Sequence, residues 1–230
     1  NLGISKLIII GGDGSFNALN QFYVDFKVPF AGIPATIDND ISGTDYCLGV
    51  DTALNMIRSS VDSIRDTASS FSRAFVIETM GRDCGYLAMV SALANGAEVC
   101  LVPEIKYDLD AVGERLRQQR AAGKRYVLGI VAEGTGMAEP LTRWMGDFLD
   151  MDARLTVLGH VQRGGSPTVY DRIMAYKFAV AAVDHLLAGD TNRVVTFRNG
   201  RFGSSSIHQI SDTKHECEAS LLELVRELSC

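Results

Sequence analysis

Apolar residues along this chain follow two rhythms: short unbroken runs, and longer stretches in which they return every three to five positions with charged residues between them. The first rhythm reads as a buried strand and the second as a helix with one face on a core. Leu7 to Ile10 and Phe30 to Ile33 are runs of the first kind, and the first leads through a glycine-rich turn toward a helix. From Asp45 to Thr67 the second rhythm takes over. Leu48, Ala53, Ile57, Val61 and Ile64 alternate with Arg58, Asp62, Arg65 and Asp66, a helix expected to cross into a second lobe. A polar break over Ser69 to Ser72 precedes a strand from Ala74 to Met80, a helix from Tyr86 to Ala94 and a strand from Val99 to Val102. Next come a helix from Asp108 to Ala122, with Asp108 as N-cap and Gly123 as its stop, and a strand from Tyr126 to Ala132. Gly134 to Met151, with Pro140 and Trp144, predicts a loop holding a short helix. The pattern closes with a strand at Ala153 to Leu158, a helix at Val169 to Leu187 with Arg172 and Lys177 on its polar side, a strand at Val194 to Phe197, a glycine-rich turn, and a helix at His215 to Leu228. Apolar strands alternating with helices predict an α/β protein built on mainly parallel sheets.

At 230 residues the chain has room for one large or two small domains. A hydrophobic share of 47% and a charged share of 22% are those of an ordinary soluble globular protein. No apolar run approaches a membrane span, and no signal peptide opens the sequence. The formal net charge of -6 argues against a general nucleic-acid surface but leaves an anionic substrate open, because local arginines decide that. Cys47, Cys84, Cys100, Cys217 and Cys230 are odd in number and share no metal-ligand spacing, which fits a reduced, cytoplasmic compartment.

The chemistry gathers where strands end. Gly11-Gly12-Asp13-Gly14-Ser15 follows the first strand and opens a helix. Glycines let backbone N–H groups close on phosphate oxygens, a helix N-terminus adds partial positive charge, and Asp13 is suited to a cation sharing those oxygens. Pro34-Ala35-Thr36-Ile37-Asp38-Asn39-Asp40 closes the second strand. Its two carboxylates, two residues apart, suit a base paired with a metal- or pocket-shaping group; read plainly, the same residues make an Asx-rich turn. Gly81-Arg82-Asp83-Cys84-Gly85 repeats the strand, turn, helix logic, and Glu133 stands at the carboxyl end of another strand.

With Met80-Gly81-Arg82 and Leu158-Gly159-His160-Val161-Gln162-Arg163-Gly164-Gly165-Ser166-Pro167, these motifs resemble, in order and spacing, those of the 6-phosphofructokinase family. The resemblance implies two lobes: a phosphoryl-donor lobe of residues 1–49 and 162–212, incomplete at its start, and a sugar-phosphate lobe of residues 50–161 and 213–230. It implies transfer of phosphate from ATP to the 1-hydroxyl of fructose 6-phosphate, with Asp38 as base, Thr36 and Asp40 shaping its surroundings, and Arg82 stabilising the transition state. Gly12, Asp13, Gly14 and Ser15 would hold the donor, with Asp13 serving Mg2+. Met80, Gly81, Glu133, His160 and Arg163 would hold the sugar phosphate, joined by Arg73 and Arg154 from a neighbouring subunit of a homo-oligomer, expected to be a tetramer. Arg65, Glu98 and Lys124 match effector-binding positions. Pyrophosphate-using relatives carry aspartate in place of Gly14 and lysine in place of Ala35, so Gly14 favours ATP; Ala35 and Ala18 depart from glycines usual in ATP enzymes. A non-catalytic subunit would be expected to have lost Asp38, Arg82 or Arg163, and lipid or NAD kinases share only the GGDG turn. The family's preceding phosphate-binding segment has no counterpart in this numbering, so the 230 residues alone are expected to be inactive.

Overall fold

A computed structural model of the protein describes residues 3–213 and 215–229; Cys230 lies outside them. In chain order the elements are β1 (Leu7–Gly11), α1 (Asp13–Phe26), β2 (Phe30–Pro34), α2 (Val50–Phe71), β3 (Ala74–Thr79), α3 (Tyr86–Asn95), β4 (Val99–Leu101) and α4 (Leu109–Ala121). They continue with β5 (Val127–Ala132), α5 (Ala138–Leu149), β6 (Ala153–Val157), α6 (Val169–Ala188), β7 (Arg193–Arg198), β8 (Arg201–Ser206), α7 (Ile207–Asp212) and α8 (Ala219–Ser229). Single 3-10 turns occupy Glu133–Thr135 and Gly159–Arg163. Two units result, Asn1–Thr52 with Ser166–Glu216, and Ala53–Gly165 with Cys217–Cys230. No helix among the described residues is long and apolar enough to cross a membrane.

The first unit is built on a sheet of order β1-β2-β7-β8, in which β1, β2 and β7 run parallel and β8 returns antiparallel to β7. Every residue of β2 is buried, as its unbroken apolar run requires. Register pairs Gly11 with Pro34, so the glycine turn after β1 and the segment after β2 leave the sheet side by side. The second unit is an all-parallel sheet of order β4-β5-β3-β6. There Thr79 pairs with Ala132 and Glu78 with Val157, so the segments after β3, β5 and β6 emerge together. Its core includes Val76, Leu101, Leu116, Val131 and Leu141, each wholly buried, and burial stabilises each such side chain by roughly 1.5–3 kcal/mol.

Several expectations are corrected. Gly134 to Met151 is mostly the helix α5, whose Ala138, Leu141, Met145 and Leu149 recur at helical spacing and are buried against the sheet. Pro140 is tolerated because it lies in the first turn, where an N–H has no partner within the helix. The stretch from Asp45 to Gly49 is not helical: Leu48 makes a parallel bridge to Ala35, and Gly49 has φ +100°. The polar break at Ser69 is absent, since α2 runs on to Phe71 and ends where Ser72 turns left-handed. The glycine-rich turn after β7 is the tip of a hairpin, Asn199-Gly200, both at positive φ, as hairpin twist demands. Ser206 then caps α7 through a capping box with Gln209, an element the sequence reading lacks. The last helix begins at Ala219, not His215.

Candidate functional site

In the first unit the glycine turn is closed by bonds from Ser15 N and Phe16 N to Gly12 O at 3.0 and 3.1 Å. That leaves the earliest N–H groups of α1 as the helix's unfilled donors. Asp13 stands at this positive end, its carboxylate accepting from Asn17 Nδ2 at 3.0 Å. A Cβ built at Gly14 would meet nothing within 4 Å. Phosphate oxygens, and a hard cation on Asp13, would therefore find room and suitable ligands here.

Ala35 N donates to Gly11 O at 2.9 Å, which fixes the carboxylate-bearing segment beside the glycine turn. Thr36 Oγ1 accepts from Asp38 N at 3.3 Å. Asn39, left-handed at φ +53°, accepts from Cys47 N at 3.0 Å and donates to Asp45 O at 3.2 Å. Asp38 is buried at 4% exposure and Asp40 is half-buried, so the two carboxylates occupy different surroundings. Asn39 thus ties this segment to residues 45–47, and the short-range side-chain turn here is made by Thr36, whose hydroxyl accepts from Asp38 N.

One residue that anchors this segment escaped the sequence reading. Asp171, in the first turn of α6, is 4% exposed and accepts from Tyr46 Oη at 2.6 Å, Gly49 N at 2.8 Å, Thr52 N at 2.9 Å and Thr52 Oγ1 at 2.5 Å. Burial alone would raise its pKa, but the bonds from Thr52, Tyr46 and Gly49 hold it below the usual carboxylate range. Burial and the bond to Asp171 push the Tyr46 hydroxyl up. The available signal was Thr168-x-x-Asp171, a helix-start pattern, and Thr168 does cap α6.

In the second unit, Gly81 (φ +139°) and Arg82 (φ +53°) form the turn after β3. An arginine in that region costs about 1–2 kcal/mol. Glu133 offsets it: Oε1 accepts from Gly81 N at 3.2 Å and Arg82 N at 2.9 Å. Gly134 is required here, since a Cβ on it would lie 2.0 Å from Arg82 O. The Arg82 side chain is exposed. Met80 N donates to Gln162 Oε1 at 3.1 Å, and Gln162 Nε2 donates to Gly159 O at 3.0 Å. Gln162 is thus the buried peg of its 3-10 turn, while His160 and Arg163 face outward.

Arg73 and Arg154 share one carboxylate. Asp152 Oδ2 lies 2.8 Å from Arg73 Nε, and Arg154 reaches Oδ1 and Oδ2 at 2.9 and 3.1 Å. The Arg154 bond, with the charge of both arginines, holds the Asp152 carboxyl below its ordinary range. Glu98, 5% exposed, is joined to Lys124 by an ion pair and accepts from Leu128 N at 2.7 Å; Arg65 is bound separately, donating to Asn95 O. Glu98 also borders a cavity of about 790 Å³ that Arg115 and Arg226 line.

Comparison with known proteins points one way. A phosphofructokinase family model matches residues 1–186. The ATP-dependent 6-phosphofructokinase of Sulfurimonas denitrificans is 50% identical over 227 residues, covering 98% of this chain and 71% of that protein. The enzyme of the same name from Staphylococcus aureus (strain MRSA252) is 45% identical over 229 residues, covering 99% and 71%. Among solved structures, phosphofructokinase from Saccharomyces cerevisiae superposes with a TM-score of 0.82 at 30% identity over 91% of this chain, which spans 32% of the yeast chain. A pyrophosphate-dependent phosphofructokinase from Marinobacter aquaeolei gives a TM-score of 0.79 over 98% of this chain and 68% of its own, but at 21% identity it speaks for the fold alone.

Proposed function

The chain belongs to the phosphofructokinase family, and from that premise we propose that it serves an enzyme transferring a phosphoryl group from ATP to the 1-hydroxyl of fructose 6-phosphate, the glycolytic step that yields fructose 1,6-bisphosphate. The observation that carries this is identity of 45–50% with ATP-dependent 6-phosphofructokinases along nearly the whole chain. The open space at Gly14 supports ATP over pyrophosphate, because an aspartate there would put negative charge where nucleotide phosphate should lie.

Phosphoryl transfer asks for a positioned hydroxyl, a proton acceptor, and positive charge around the moving group. Asp38 takes the proton of the sugar 1-hydroxyl, with Thr36 and Asp40 shaping its surroundings. Gly12, Gly14 and Ser15 receive the donor phosphates, and Asp13 holds Mg2+, which when bound neutralises charge on those phosphates. Arg82 offers its guanidinium to the charge that develops on transfer, a role worth a few kcal/mol where water is excluded. Its backbone is set by Glu133. Met80, Gly81 and Glu133 receive the sugar, and His160 and Arg163 its 6-phosphate.

In a homo-oligomer, tetrameric on this reading, Arg73 and Arg154 reach the substrate of a neighbouring subunit. Arg65, Glu98 and Lys124 form an effector site, a reading supported by the ion pair between Glu98 and Lys124. The enzyme works in the cytoplasm. β1 is a sheet edge with Ile8 and Ile10 exposed at 40% and 64%, an apolar edge that favours association.

The test is a pair of coupled assays of the same sample, one with ATP and one with pyrophosphate. ATP-driven turnover is expected, falling about 10²- to 10⁴-fold in Asp38→Asn with folding unchanged. Turnover on pyrophosphate alone would reject the use made of Gly14.

A further inference from the structure

Next to the Arg82 turn, the second unit brings together two sulfur atoms 133 positions apart in sequence. Cys84 Sγ lies 4.0 Å from Cys217 Sγ, and Cys217 Sγ lies 3.4 Å from Glu104 Oε1. The same Glu104 oxygen accepts from Gly85 N at 2.7 Å, so the thiols and the turn share one support. Cys84 closes that turn, its N–H donating to Gly81 O at 2.9 Å. Both cysteines are free; Cys84 is buried and Cys217 is half-buried, open enough to meet a small oxidant. Cys47 and Cys100, by contrast, are wholly buried.

We propose that Cys84 and Cys217 are a modification site, converted by hydrogen peroxide or an organic hydroperoxide into a disulfide that ties the Arg82 turn to the segment entering α8. The sulfur atoms must close from 4.0 Å to about 2.05 Å, a shift that side-chain rotation and a small backbone adjustment supply. Cys217, the sulfur nearer solvent, attacks one peroxide oxygen and breaks the O–O bond. Its proton passes through Glu104 to the departing oxygen, which leaves as water from hydrogen peroxide or as the alcohol from an organic hydroperoxide, and Cys217 becomes a sulfenic acid. Cys84 then attacks that sulfur. The S–O bond breaks, the S–S bond forms, and a second water leaves with the Cys84 proton. Two thiols lose two electrons and two protons, and hydrogen peroxide becomes two waters, an organic hydroperoxide one alcohol and one water. The bond to Cys84, burial and Glu104 push the Cys217 thiol above its ordinary range, so the reaction is slow near neutrality and quickens as pH rises. The product fixes the residue that stands two positions after Arg82, whatever role Arg82 has in turnover.

The experiment treats the reduced protein with a few equivalents of hydrogen peroxide, alkylates the remaining thiols with iodoacetamide, and weighs the proteolytic peptides with and without dithiothreitol. The expected product is a pair of peptides holding Cys84 and Cys217, two hydrogens lighter than their sum, released by dithiothreitol and faster to form at pH 8.5 than at pH 7. Cys217→Ser, at the half-buried position, and independently Cys84→Ser, should each abolish it. Accumulation of Cys217 as sulfinic acid with no cross-link would overturn the proposal. So would a cross-link joining either residue to any other cysteine or to a second copy of the chain.

Discussion

Replacing Asp171 tests whether the segment bearing Asp38 is held from α6. The carboxylate is 4% exposed and accepts four hydrogen bonds, two on each oxygen, from Tyr46, Gly49 and Thr52. Hydrogen bonds to a charged group each contribute roughly 1.5–3 kcal/mol net, and a donor left unsatisfied inside costs about 1–3 kcal/mol. These terms overlap, since the same donors relax together, so Asp171→Ala should destabilise by about 3–5 kcal/mol. Asp171→Asn keeps one oxygen for Tyr46 and Gly49 but sets an NH2 group against the two donors of Thr52, for a loss of about 2–3 kcal/mol. Tyr46→Phe and Thr52→Val, each removing one donor, should cost about 1 kcal/mol. The folded carboxyl titrates below its unfolded value, so its contribution is complete above about pH 4 and is lost as pH falls through the folded pKa. Urea unfolding from pH 3 to pH 7 reads both effects. A flattened acid limb is expected in Asp171→Asn. Stability within about 0.5 kcal/mol of the parent, with an unchanged acid limb, would refute the anchoring argument.

Gly134→Ala pushes a methyl to within 2.0 Å of Arg82 O, a backbone atom that cannot swing away, so thermal unfolding should show a loss of about 3 kcal/mol or more; near-parental stability would mean the turn is held otherwise. Gly14→Asp enters open space, so stability should stay within about 0.5 kcal/mol while ATP-driven turnover collapses in a coupled assay. Asp152→Asn should raise the KM for fructose 6-phosphate about five- to tenfold with kcat kept within about twofold, because two flexible arginines lose the charge that orders them. If Arg73→Ala raises KM and Asp152→Asn does not, Asp152 is no brace.

What the sequence revealed and what it hid differ by the range of the interaction. An unbroken apolar run such as Phe30 to Ile33 is local, and it predicts a buried strand whatever lies elsewhere; β2 is buried throughout. The motifs after the strands are equally local, and parallel register then brings Gly12 beside Thr36 and Gly81 beside Glu133 without further specification. The missed elements had weak local signals. Arg201 to Ser206 has one large apolar residue, Phe202, and is a strand only because β7 offers an edge to pair with. In α5 the stripe Ala138, Leu141, Met145, Leu149 was present, but Gly134, Gly136 and Pro140 outweighed it in a reading that counts breakers without placing them in the first turn. The supporting residues were hidden most completely. Asp171, Gln162 and Asp152 look like ordinary polar residues, and what distinguishes them is a set of donors supplied from segments distant in sequence. Glu133 shows the same limit from the other side, because its place at a strand end suggested a ligand but gave no sign that one of its oxygens also holds the backbone of Arg82. Chemistry-bearing residues on strand-end turns therefore surface in a single sequence, whereas the groups that fix their geometry surface only once distant segments meet.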